Sequence, residues 1–211
     1  MPLQIDLPGP VGLLEAQLEI INEDSGRWAI ICHPHPLFAG TILNKVVSTL
    51  SKAYVESGIN TLIFNYRGVG KSQGEYGDMA GEVADCLAAF EWLHQNHQVS
   101  QLYLAGFSFG AYIAAQAAFD LIESQNEKLE LMHLALIAPS VENSPFDKAL
   151  PISVPCLVVG AEADELIPIA ETQNWVDGLY PPVEYIEMPE TSHFFHGKLL
   201  ALRNYVKAAL C

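Results

Sequence analysis

Positive charge is scarce in this chain: 10 Lys and Arg stand against 25 Asp and Glu, a formal net charge of −15 over 211 residues. A surface this acidic repels phosphate backbones and anionic lipid, so no nucleic acid and no membrane is expected among its partners. Charge of either sign is also low, 17% against 50% hydrophobic residues. Much of the chain must therefore lie inside, as in a sheet covered by helices. No apolar run reaches the roughly 18 residues of a membrane span. The opening, Met1 to Asp6, lacks the basic stretch and apolar run of a secretory leader. Cys32, Cys86, Cys156 and Cys211 show no CxxC spacing, and they read as reduced thiols of a cytoplasmic protein. Repeats, low-complexity tracts and linkers are missing too, so residues 1–211 read as one domain.

The apolar residues that are present follow two periods. Leu14, Ala16, Leu18 and Ile20 alternate with Glu15, Gln17 and Glu19, which predicts a half-solvated strand at an antiparallel edge. Beyond it lie short, nearly continuous apolar runs: Trp28 to Cys32, Thr61 to Phe64, Leu102 to Ala105, Leu134 to Ile137 and Val154 to Val159, with a further apparent strand at Val183 to Met188. Such runs fit strands buried on both faces. Helical spacing separates them, as in Val46, Leu50 and Tyr54, in Val83, Cys86, Leu87, Phe90 and Leu93, and in Leu199, Leu202, Val206 and Leu210. The expected fold class is α/β, a doubly wound, mostly parallel sheet with helices on both faces. Sites in such sheets form beyond the carboxyl ends of the strands.

One of those ends carries Gly106-Phe107-Ser108-Phe109-Gly110, followed by an alanine-rich helix. The glycines permit a sharp strand-to-helix turn that lifts the Ser108 hydroxyl out. The helix then aims its N-terminal N–H groups at any developing oxyanion. The bland alternative is a small-residue turn that only packs helix on strand. A serine so placed takes its partners downstream, acid before histidine. His193 lies between the Val183–Met188 run and the last helix and is the candidate base. His196 competes with it from what reads as the first turn of that helix, and His133 reads as a packed or rim residue. For the acid, Glu162, Asp164 and Glu165 follow the preceding strand. Pro168 is placed to open the next helix, and Asp164 is favoured.

The run ending at Cys32 leads into His33-Pro34-His35-Pro36-Leu37. Prolines have no N–H to give. A second oxyanion donor therefore narrows to His35 or Leu37, with Phe109 giving the first. His33 and His35 form only an H-x-H pair with no further ligand nearby, so no metal is expected. Asn65 to Ser72 resembles a P-loop but has Asn65 where the first glycine belongs, so a nucleotide site is not expected.

Together, His-Pro-His-Pro-Leu-Phe-Ala-Gly-Thr, Asn-Tyr-Arg-Gly-Val-Gly-Lys-Ser, Gly-Phe-Ser-Phe-Gly-Ala-Tyr, Ala-Asp-Glu-Leu-Ile-Pro and Ser-His-Phe-Phe-His give the chain its likeness. From Trp28 onward it resembles the α/β-hydrolase superfamily, specifically small bacterial hydrolases similar to the dienelactone hydrolase group that lack a lid. The resemblance implies a triad of Ser108, Asp164 and His193. It places the second oxyanion amide at His35, with Pro34 where relatives carry glycine. Dienelactone hydrolase itself uses cysteine, so Ser108 argues against that reaction. The implied activity is a serine hydrolase on a small-molecule ester, through an acyl-enzyme and without a cofactor. Its rivals are acyl transfer, thioester or peptide cleavage at the same site, and a non-catalytic ligand receptor. Segment 139–153 reads as a surface loop too short for a cap, so Ser108 is expected in a shallow cleft.

Overall fold

The computed structural model describes residues 2–124, 130–146 and 154–210. Eight strands form one sheet in the order β1-β2-β4-β3-β5-β6-β7-β8. They are β1 (Leu3–Gly9), β2 (Gly12–Glu19), β3 (Arg27–Cys32), β4 (Asn60–Phe64), β5 (Gln101–Phe107), β6 (Glu130–Ile137), β7 (Cys156–Ala161) and β8 (Glu184–Met188). The β1–β2 and β2–β4 pairs are antiparallel and the rest of the sheet is parallel. The runs beginning at Trp28, Thr61, Leu102, Leu134 and Val154 became the interior strands β3, β4, β5, β6 and β7, most of whose residues are buried, as their composition requires, whereas Val183 to Met188 holds the edge strand β8, with only Met188 buried.

Among the described residues, five α-helices cover the sheet: α1 (Lys45–Glu56), α2 (Ala80–Asn96), α3 (Phe109–Glu123), α4 (Ile169–Asp177) and α5 (Leu199–Ala209). Val46, Leu50 and Tyr54 of α1 and Leu202 and Val206 of α5 join one core layer. Val83, Cys86, Phe90 and Leu93 of α2 and the alanines of α3 join the other. The doubly wound α/β fold is therefore the one observed.

Three details differ from the reading of the sequence. The alternating strand β2 is not the edge, because β1 pairs outside it over its full length. His196 lies in an exposed turn ahead of α5, whose first residue is Leu199. The described part of segment 139–153 is only partly solvated: Ser140, Ser144 and Phe146 are buried. Phe146 sets its ring against Tyr112 and Trp175, and burial of that ring draws the segment down onto α3 and α4. Its remainder, 147–153, lies outside the described residues, as does Cys211. Pro168 is the residue that leads into α4, as expected.

Candidate active site

The carboxyl end of β5 is where the chain is bent hardest. Ser108 has φ 55° and ψ −119°, a left-handed conformation that costs a non-glycine residue strain. The flanking glycines make the bend possible. A Cβ on Gly106 would collide with the Gly110 carbonyl, and one on Gly110 with the carbonyls of Cys32 and His33. The second collision explains a closer fit: α3 starts directly against the loop that follows β3. The elbow is suspended from its neighbours. Ser108 N–H donates to Ile137 O at 2.8 Å, and Ala138 N–H donates to Val159 O at 2.7 Å.

On one side of the elbow, the β7 and β8 loops bring Asp164 and His193 together. Asp164 Oδ2 lies 2.7 Å from His193 Nδ1, with both side chains almost wholly buried. A carboxylate there accepts, so Nδ1 carries the proton and Nε2 of the neutral ring keeps its lone pair. The other carboxylate oxygen, Oδ1, accepts the N–H groups of Leu166 and Ile167 at 2.8 Å each. The Asp164 carboxylate is therefore fixed at both oxygens. Phe107, one residue before Ser108, sets its ring 5.0 Å from that of His193, which places the imidazole beside the elbow. Neither the Ser108 hydroxyl nor His193 Nε2 has a hydrogen-bond partner among the described residues. Such bonds are often long before substrate is bound.

Glu162 and Glu165, the competing acids, do not reach the imidazole. Each fastens the backbone of the His193 loop instead. Glu162 Oε2 accepts Glu190 N–H at 2.7 Å, and Glu165 Oε2 accepts His193 N–H at 3.1 Å. Glu162 and Ala163 in turn donate their own N–H groups to the carbonyls of Met188 and Thr191. No local sequence signal marks this role, because the amides that Glu162 and Glu165 accept lie 28 residues away in the chain.

On the other side of the elbow stands the His33–Leu37 loop. His33 is fully buried. Its Nδ1 donates to Pro34 O at 2.7 Å and its Nε2 accepts Tyr66 N–H at 3.2 Å. Both ring nitrogens are thus committed to holding the loop, and burial pushes the imidazole down to about 3 despite the Pro34 bond. His35 Nδ1 accepts Leu37 N–H at 3.2 Å. That bond engages the Leu37 amide, while the His35 amide has no acceptor among the described residues. Phe109 is the first residue of α3, so its N–H has no acceptor within the helix. The His35 ring packs 4.5 Å from that of Phe109, which keeps the loop against the helix start.

The stretch Asn65 to Ser72 is a structural knot. Lys71 N–H and the Asn65 amide both donate to Glu15 Oε2. Asn65 Oδ1 accepts Ile42 N–H, and Asp85 takes both the backbone N–H and the guanidinium of Arg67. A carboxylate of the protein itself sits where a phosphate cradle would need room. His133 lies buried in β6, far along the strand from the elbow.

Comparison with known proteins bears on the family and the fold. A family model described as serine aminopeptidase, S33, matches residues 44–151. The solved α/β serine hydrolase homologue from Coxiella burnetii is 39% identical, with a TM-score of 0.86 over 99% of this chain and 97% of that one. A serine hydrolase without a lid from Xanthomonas campestris is 33% identical, with a TM-score of 0.85 over 99% of this chain and 93% of that one. An uncharacterised protein of Rickettsia prowazekii is 32% identical over 92% of this chain and 83% of its own length. The chain belongs to the family described as serine aminopeptidase, S33, and is a serine hydrolase of the α/β-hydrolase superfamily, with no separate lid domain among the described residues.

Proposed function

We propose that this hydrolase cleaves small carboxylic esters through an acyl-enzyme, with Ser108 as nucleophile, His193 as base and Asp164 as the acid that orients it. The 2.7 Å contact between buried Asp164 and His193 beside a strained serine carries the reading. His193 Nε2 takes the Ser108 proton as Oγ attacks the carbonyl carbon. The oxyanion that forms accepts the N–H groups of Phe109 and His35. Each such donor is typically worth about 2.7–4 kcal/mol in the transition state. Asp164 stabilises the imidazolium without itself taking the proton. The imidazolium then protonates the leaving alcohol, and the neutral ring activates water to release the acid. No cofactor enters these steps. The working partner is a small-molecule ester, and the free thiols Cys32, Cys86 and Cys156 suit a reducing, cytoplasmic setting.

The test is labelling by a fluorophosphonate followed by peptide mapping and turnover of an ester panel. A label on Ser108 and ester turnover are expected. A label elsewhere, or a thioester or peptide cleaved far faster than every ester, would overturn the assignment.

A further inference from the structure

Two phenylalanine rings stand at the surface on opposite sides of Ser108. Phe38 is 82% exposed and Phe194 is 39% exposed. Ring contacts tie both to the elbow. On the oxyanion side Phe38 lies 4.9 Å from His35, which lies 4.5 Å from Phe109. On the base side Phe194 lies 5.2 Å from His193 and 6.1 Å from Phe107. Phe107 and Phe109 are the two chain neighbours of Ser108. Leu37, Leu43 and Leu166, on loops at the same end of the sheet, are exposed as well.

Exposed apolar side chains on three separate loops at one end of the sheet fit a binding surface. The charges beside it are mostly negative. The acid and base loops, residues 162–168 and 189–198, hold Glu162, Asp164, Glu165 and Glu190 against Lys198. The whole chain carries −15.

Resting on the ester-hydrolase reading above, we propose that this rim receives the apolar part of an uncharged ester, and that substrates bearing an anionic group near the scissile bond are turned away. Phe38 and Phe194 grip the carbons next to the carbonyl from two sides. The carboxylates around them repel a substrate carboxylate or phosphate.

Substrate ratios within one enzyme cancel any loss common to all substrates. With p-nitrophenyl acetate, butyrate and hemisuccinate, wild type should prefer butyrate to hemisuccinate by about tenfold in kcat/KM at low salt, less at high salt. Butyrate should exceed acetate by about fourfold, as two half-buried methylenes allow. Phe38→Ser and Phe194→Ser should each erase most of that second ratio, and Phe38→Arg should narrow the first. The neutral dye N-phenyl-1-naphthylamine, titrated into Ser108→Ala, should bind more weakly once Phe38→Ser is added, which reads the rim without turnover. Hemisuccinate cleaved as well as butyrate, or ratios and dye binding indifferent to Phe38, would overturn the inference and leave the ester reading standing. Failure of that reading looks different: no label on Ser108 and no ester cleaved.

Discussion

Glu165 accepts the backbone N–H of His193 at 3.1 Å while its neighbour Asp164 accepts the imidazole N–H of the same residue at 2.7 Å. Adjacent carboxylates thus hold one histidine by backbone and ring. Glu165→Gln keeps an oxygen for the backbone bond and should leave kcat within about twofold, whereas Glu165→Ala should lower it by roughly tenfold, the effect of losing one hydrogen bond of about 1.4 kcal/mol. Steady-state kinetics of the pair checks this. Equal losses in both variants would show that the charge, not the acceptor, matters.

Ser108→Ala should abolish phosphonate labelling and lower kcat by about 10⁶, as loss of a triad nucleophile does. Asp164→Asn should cost about 10³–10⁴ because it disturbs the imidazole tautomer. His193→Ala should be inactive and His196→Ala active, since His196 sits exposed in a turn and makes no bond to Asp164. A dead His196→Ala enzyme that folds normally would move the base.

Chain-length dependence follows from the proposed rim. On that proposal Phe38 and Phe194 touch only the carbons next to the carbonyl, so carbons farther out gain little of the roughly 0.8 kcal/mol per buried methylene. Acyl groups of about two to four carbons should be cleaved better than those beyond about ten, without a jump in rate when substrate forms droplets. A kcat/KM that climbs steadily through dodecanoate would reveal an enclosed channel.

Burial pushes His33 down to about 3 and His133 to about 4, against 6.5 for the free side chain. Between those values the unfolded chain binds protons that the folded chain refuses. Stability is therefore fully present above about pH 6.5 and falls as the pH drops toward 4. Thermal melts should show a lower Tm at pH 5 than at pH 7.5. His133→Leu, which removes one of the two groups, should lose less Tm over that interval than wild type. An identical loss would clear His133 of any part in it.

The parallel strands and the elbow were legible because each is written locally. A strand buried on both faces must be apolar throughout, and a turn as sharp as that at Ser108 needs Gly106 and Gly110. Chain order narrowed the acid to Glu162, Asp164 or Glu165 and the base to His193 or His196, and Pro168 with the family likeness favoured Asp164, the carboxylate that meets the His193 ring in the fold. What escaped depends on distant partners. Leu3, Ile5 and Leu7 alternate with Gln4 and Asp6 in the same period that revealed β2, but only Leu7 is fully buried and Pro8 and Gly9 follow at once. The edge strand is made by its pairing with β2 rather than by its own composition. Likewise nothing near Glu162 or Glu165 announces that their acceptors face a loop some 28 residues away. The choice between His35 and Leu37 turned on a single ring nitrogen, His35 Nδ1, which engages the Leu37 amide.

The suspension of the elbow gives the molecule a built-in gauge of its own completeness. Ser108 hangs by its N–H from the last residue of β6, and the residue after β6 hangs in turn from β7, whose loop carries Asp164. A strand that slips by one position reverses which side chains face each layer, and every link in that chain of bonds is then lost together. Partial zipping of the sheet should therefore leave the site incomplete. During refolding from denaturant, catalytic activity should return with the last of the parallel pairings, after much of the helical circular dichroism. On heating it should vanish no later than the first loss of the sheet between β5 and β7.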